Sequence, residues 1–250
     1  MRRVSRIFLA LSIFAAATAQ AQTHESVTFP STPGAGSGYL SIPPAAGKHP
    51  AIIVIQEWWG VDDWIKSNAD RFAKNGYVAL APDLYRGKAA ASPEEAHELS
   101  RGLAHDRALA DMKGAFNLLA ARKDVDAKRI AVIGWCMGGG YALDLALAEP
   151  RLAAAVINYG HLATSPDSIA SLKAPILGNF GAADRGIPPA DVEAFEQALT
   201  KAGKQSDVKI YAGAGHGFMN PNNKGGYVKE AADDAWKRID AFLGKTLKSS

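Results

Sequence analysis

The chain has 250 residues, of which 48% are hydrophobic, 21% charged and 8% aromatic, a globular composition too rich in core-forming side chains for a disordered protein. Its formal charge of +3 comes from Arg2, Arg3 and Arg6; the rest of the chain balances 25 basic against 25 acidic side chains, which gives no electrostatic reason to expect nucleic acid or an anionic membrane as partner. One cysteine, Cys136, excludes an internal disulfide framework and a four-thiolate zinc site.

In chain order, the first segment is a basic start, an apolar run over residues 7–17 broken only by Ser12, and Ala19-Gln20-Ala21. That pattern describes a secretory signal peptide cleaved after Ala21, since the run is well short of the roughly 20 residues a membrane span needs. The mature chain, residues 22–250, is expected to be exported, to a periplasm or beyond, and to form one domain acting as a monomer or small homo-oligomer. Residues 32–38, rich in Gly, Ser and Pro, read as a hairpin connection between short strands near 26–29 and 38–42. Residues 51–55 form an apolar strand. A helix follows over 62–74, with Asp62 or Asp63 as cap and Gly76 as stop. A strand at 77–81 precedes a helix opened by Ser92-Pro93-Glu94-Glu95, a capping box with Pro in the first turn. Strands at 129–133, 153–159, 175–180 and 208–211 alternate with helices at 139–148, from Pro188/Pro189 to near Lys201, and at 226–247. Strands apolar on both faces, alternating with helices, predict an α/β fold: a mostly parallel sheet covered on both sides.

In such sheets ligands sit beyond the carboxyl ends of the strands, so the residues just after each strand are the ones to weigh. They are Gln56, Glu57, Trp58 and Trp59; Asp83, Tyr85 and Arg86; Gly134-Trp135-Cys136-Met137-Gly138; Asp184; and His216. Glycine, any residue, nucleophile, any residue, glycine between strand and helix is a nucleophile elbow, here with Cys in the nucleophile position. The alternative is a core thiol in a glycine-rich helix–sheet contact. A phosphate loop fits poorly, as no Gly-Lys-Ser/Thr follows. A thiol at a helix N-terminus has its thiolate favoured by the dipole and free N–H groups. His216, in a glycine-rich loop after the last strand, stands where the order nucleophile, acid, base puts the base, and Asp184 would orient it. Glu57, beside two tryptophans, should be partly desolvated and inclined to hold a proton. Trp58 and Trp59 either cap the core or floor a pocket for a flat substrate. The remaining histidines show no metal-ligand spacing, so neither metal nor cofactor is expected.

From about Ser26 to Leu247 the sequence resembles the dienelactone hydrolase family of α/β-hydrolases. The resemblance is carried by Gln56-Glu57-Trp58-Trp59-Gly60, Pro82-Asp83-Leu84-Tyr85-Arg86, Gly134-Trp135-Cys136-Met137-Gly138-Gly139, Asp184 and Gly215-His216-Gly217-Phe218. It implies Cys136, Asp184 and His216 as a triad, and Glu57 as the group that holds the thiol neutral at rest and takes its proton when substrate binds. It also implies the backbone N–H groups of Met137 and Trp58 as oxyanion hole, with Tyr85 and Trp59 as neighbours of the substrate. Family members hold a substrate carboxylate with two arginines. Arg86 is the candidate for one, with a one-residue offset, and Asn220 stands in place of the other, which removes a charge-assisted contact worth about 1.5–3 kcal/mol. The expected activity is hydrolysis of small carboxylic esters or lactones through a thioester acyl-enzyme. Dienelactone hydrolase (carboxymethylenebutenolidase) activity proper and a non-catalytic periplasmic binding protein on the same fold are the alternatives. A thiol redox protein is disfavoured by the lack of a second, resolving cysteine. The short connection over 161–173 leaves no room for a large lid.

Overall fold

The computed structural model describes residues 21–248. The expected signal peptide therefore lies, but for Ala21, outside the described residues.

The strands are β1 (Thr23–Pro30), β2 (Ala35–Ile42), β3 (His49–Ile55), β4 (Val78–Pro82), β5 (Val125–Trp135), β6 (Ala154–Asn158), β7 (Ile176–Gly181) and β8 (Ser206–Tyr211). The helices are α1 (Asp63–Lys74), α2 (Pro93–Arg101), α3 (His105–Ala121), α4 (Met137–Ala148), α5 (Pro166–Ser171), α6 (Pro189–Lys201) and α7 (Lys229–Leu247). All eight strands join one sheet in the order β1-β2-β4-β3-β5-β6-β7-β8. The β1–β2 hairpin is antiparallel and β2 joins β4 antiparallel; from β4 to β8 every pairing is parallel.

The period-two alternation of strand side chains builds two cores from one sheet. Ala51, Ile53 and Ile55 of β3 pack with Met112 and Phe116 of α3, Leu143 of α4 and Phe195 of α6. Ile52 and Val54 face the other way, onto Trp64, Ile65 and Phe72 of α1 and Ala235, Ile239 and Leu243 of α7. A strand buried on both faces cannot alternate polar and apolar residues, which is why 51–55 reads as an unbroken apolar run. An α/β architecture, with helices on both faces of a mostly parallel sheet, follows from that run and its repeats.

Local signals act largely as expected. Asp62, not Asp63, caps α1, its carboxylate accepting from the Ile65 N–H at 2.9 Å. Ser92 caps α2 through the Glu95 N–H, and Glu95 reaches back to the N–H of Ala91, one residue before the cap. The helix opened there stops at Gly102, and the separate α3 follows; the sequence reading did not resolve that break. The last helix begins at Lys229 instead of residue 226, because Gly226 and Tyr227 spend their N–H groups on the Asn223 carbonyl in the preceding turn.

Candidate active site

β5 ends at Trp135, α4 begins at Met137, and Cys136 between them has φ 56° and ψ −123°. A non-glycine residue in that region costs on the order of 1–3 kcal/mol and persists only where its surroundings enforce it. Here they do. The Cys136 N–H donates to the Asn158 carbonyl of β6 at 3.1 Å, and its carbonyl accepts from Gly139 at 3.0 Å. The flanking glycines permit the approach: a Cβ on Gly134 would lie 1.9 Å from the Gly138 carbonyl oxygen, and one on Gly138 would lie 2.3 Å from that of Gln56. A buried polar chain holds the strand end from beneath. Asn179 donates to Asn158 at 2.8 Å, and Asn158 donates to the Gly134 carbonyl at 3.0 Å.

The loop after β7 presents Asp184 and the loop after β8 presents His216. Their contact, between His216 Nδ1 and Asp184 Oδ2, is 2.7 Å. Asp184 is buried, and its other oxygen accepts from the N–H groups of Gly186 at 2.9 Å and Ile187 at 3.2 Å. His216 is half exposed and lines a cleft of about 560 Å³ together with Glu57, Trp58, Trp59, Asp62, Cys136, Asn220, Asn222, Asn223 and Lys224.

Two acids share this cleft, the buried Glu57 and the partly buried Cys136. Burial pushes the Glu57 carboxyl up to about 7; the hydrogen bond from Asn220 opposes this and the nearby Asp62 charge adds to it. The Cys136 thiol is pushed up to about 12, first by burial and then by the charge of Glu57, against the pull of the Met137 and Trp58 N–H groups toward the thiolate. From the residues alone the helix N-terminus favours a thiolate, whereas the family resemblance implies a thiol held neutral at rest by Glu57. In the folded site desolvation and the neighbouring carboxylate outweigh the dipole, so the thiol rests neutral.

Of the other candidates, Trp59 lines the cleft, packed edge-on to Trp58 with ring centroids 5.0 Å apart. Tyr85 stands behind that wall, its hydroxyl donating to the Trp58 carbonyl at 3.0 Å. Arg86 is not brought to the cleft. Its guanidinium pairs with the buried Asp111 at 2.8 Å and donates to the Pro33 carbonyl at 2.6 Å, tying the β1–β2 turn to α3. The expectation that Arg86 holds substrate is corrected accordingly: the nearest strong acceptor claims it. Asn220 is buried and donates to Glu57 Oε2 at 2.6 Å.

Sequence reasoning missed two residues. Tyr159, immediately after β6, is fully buried at φ 37° and packs its ring edge-on to His216 at 5.3 Å. Taking the residue after β6 with the other strand ends would have found it. Lys224, the one Lys or Arg on the cleft wall among the described residues, lies in a turn and leaves no motif to read.

The family model for the dienelactone hydrolase family matches residues 37–247. The chain belongs to the dienelactone hydrolase family. It is 34% identical over 231 residues to a Methylorubrum extorquens protein provisionally named carboxymethylenebutenolidase, covering 87% of this chain and 79% of that one. A Synechocystis protein with the same provisional name is 34% identical over 239 residues, covering 89% and 96%. A crystal structure from Klebsiella pneumoniae, provisionally named a dienelactone hydrolase, superposes with a TM-score of 0.81 at 32% identity, covering 90% of this chain and all of that one. This dienelactone hydrolase family member is a hydrolase on the α/β-hydrolase fold.

Proposed function

We propose that the protein hydrolyses small carboxylic esters or lactones through Cys136, with His216 and Asp184 as base and orienter and Glu57 as the acceptor of the thiol proton. The observation that carries this reading is a strained, loop-presented thiol in the same cleft as an imidazole whose far nitrogen is held by a buried carboxylate at 2.7 Å. A binding protein has no need of that alignment.

The steps follow from the groups present. Glu57 as carboxylate takes the thiol proton, and the sulfur attacks the carbonyl carbon. The resulting oxyanion lies toward the Met137 and Trp58 N–H groups, which already favour negative charge at the sulfur. Collapse breaks the bond to the leaving oxygen, which receives the proton the thiol gave up, and a thioester remains. His216 then takes a proton from water as its oxygen attacks the thioester carbonyl. Expulsion of sulfur returns that proton to the thiol and releases the acid. Asp184 stabilises the transient imidazolium and keeps Nε2 free to act as base.

The basic, apolar and Ala-Gln-Ala pattern of the first 21 residues supports export with cleavage after Ala21, and β1, starting at Thr23, would survive that cut. Purified residues 22–250 should hydrolyse a short p-nitrophenyl ester or a dienelactone under reducing conditions, and Cys136→Ser and His216→Ala should each abolish it. Equal rates in the variants and the parent would refute the proposal, and the ratio of the two substrate rates reports the preferred acyl group.

A further inference from the structure

Asn220 occupies an unusual position for a cleft residue, because both ends of its amide are committed. Its Oδ1 accepts from the Asn222 N–H at 2.9 Å, so the NH2 group must face the other way, where it donates to Glu57 Oε2 at 2.6 Å. The orientation is thus fixed by a backbone donor that cannot reverse its role. The two residues are 163 positions apart and both are buried. The same turn holds the base loop: the Asn223 backbone N–H donates to the Asn220 carbonyl at 3.0 Å, and the Asn223 side chain donates to the His216 carbonyl at 3.1 Å.

Glu57 is faced by Asp62 from the loop before α1, Cys136 from the elbow and Tyr159 from the end of β6, with His216 and Lys224 on the loop after β8. None of these forms an ion pair with it among the described residues, and its side-chain hydrogen bond is to Asn220. Buried without a cation, a carboxylate keeps its charge only if a donor is held on it.

We propose that Asn220 is a positioning residue for Glu57: its locked amide keeps Oε2 as a hydrogen-bond acceptor beside Cys136 and so makes the carboxylate available to take the thiol proton. This rests on the role given to Glu57 above.

The direction of the effect is set by the chemistry. A donor on the ionised form favours it, so losing that donor makes Glu57 hold its proton to higher pH. The test is the pH profile of kcat/KM on a neutral p-nitrophenyl ester for the parent, Asn220→Leu and Asn220→Gln, with Glu57→Gln and Cys136→Ser alongside. Circular dichroism and melting curves establish that each variant is folded. Expected is a parent profile rising through a midpoint near 7, as Glu57 deprotonates. Asn220→Leu should move the midpoint upward by about one pH unit, equivalent to a tenfold lower rate on the rising limb, and Asn220→Gln, which retains a donor, should recover part of the shift. A uniform loss across all pH values with an unmoved midpoint would overturn the proposal, since a merely structural role predicts just that. So would a Leu variant indistinguishable from the parent. Failure of the underlying reading looks different: Cys136→Ser would stay active, or Glu57→Gln would keep the parent's rising limb.

Discussion

Replacing Asp184 by Asn tests the division of labour in the site, and the structure dictates how the new amide must sit. Oδ1 of Asp184 accepts from two backbone N–H groups, at 2.9 and 3.2 Å, while Oδ2 meets His216 Nδ1 at 2.7 Å. In Asp184→Asn the carbonyl oxygen stays with the two N–H groups, so the NH2 points at Nδ1. Two donors then oppose each other, and the ring relieves the clash by moving its proton to Nε2. The nitrogen that should take a proton from water is then occupied. Losing the charged hydrogen bond to the imidazolium costs about 1.5–3 kcal/mol, or roughly 10- to 150-fold, and the wrong tautomer brings the total loss to about 10³–10⁴-fold. That loss should fall on hydrolysis of the thioester, because the thiol proton goes to Glu57 and not to His216. Stopped-flow absorbance with p-nitrophenyl acetate should therefore show a burst of one nitrophenolate per site, then a steady rate lowered by about 10³-fold or more. A steady rate within tenfold of the parent, or burst and steady phases slowed equally, would refute the reasoning.

Glu57→Gln should abolish turnover yet stabilise the fold at alkaline pH. The carboxyl is raised from 4.5 to about 7 on folding, so the native state binds the extra proton, and the stability this lends is complete below 4.5 and lost as pH rises through 7. In urea denaturation the stability of the Gln variant relative to the parent should improve by about 3 kcal/mol between pH 4.5 and 8, and an unchanging gap would contradict the burial argument. Arg86→Ala should lower stability by about 1–3 kcal/mol, since the buried Asp111 keeps only Arg107 and Ser31, while KM for a neutral or an anionic ester stays the same; a raised KM for the anionic ester alone would return Arg86 to the cleft. Gly138→Ala places a Cβ 2.3 Å from one backbone oxygen and 2.6 Å from another, neither on a flexible side chain. It should lower Tm by about 3–10 °C and slow acylation by moving the Met137 N–H, and unchanged melting would show that the elbow is looser than described.

What could be read in advance followed from periodicity and from caps. Apolar runs on both faces identify β3, β5, β6 and β7 because a doubly covered sheet leaves no solvent face to encode, and the residues beyond them then fall at one edge by topology alone. Strand ends were less legible. β5 begins at Val125, four residues before the apolar run, since its first part pairs irregularly with β3 across a register shift and carries Asp126, Lys128 and Arg129 to the surface. α3 was missed because its start at His105 has no side-chain cap, so nothing marks where α2 ends and it begins. The thiol divides the two kinds of reading: a helix dipole inferred from a glycine-rich helix start points to a thiolate, whereas the neutral thiol implied by the family resemblance agrees with the fold, where desolvation of the sulfur near Glu57 depends on two strands that are far apart in the chain.

Arg86 and Asn220 show the same limit from opposite sides. A charge in a motif suggests a ligand for charge, but Arg86 has a left-handed backbone of its own, at φ 52°, and pairs with Asp111 of α3, and an arginine satisfied by a buried carboxylate is not available to substrate. Asn220 looks like a loss when only its missing charge is considered. In the fold its amide supplies what a buried carboxylate needs if it is to ionise near neutral pH, and does so without the positive field that would attract an anionic acyl group. Position by position the two departures are unconnected. Together they leave a cleft lined by Trp58 and Trp59, in which a neutral amide donates to the Glu57 carboxylate and Lys224 is the one Lys or Arg among the described residues. Proton transfer and substrate charge are thereby uncoupled, so the pH profile on neutral esters and the discrimination between neutral and anionic esters should respond to different residues: the first to Asn220, the second to Lys224.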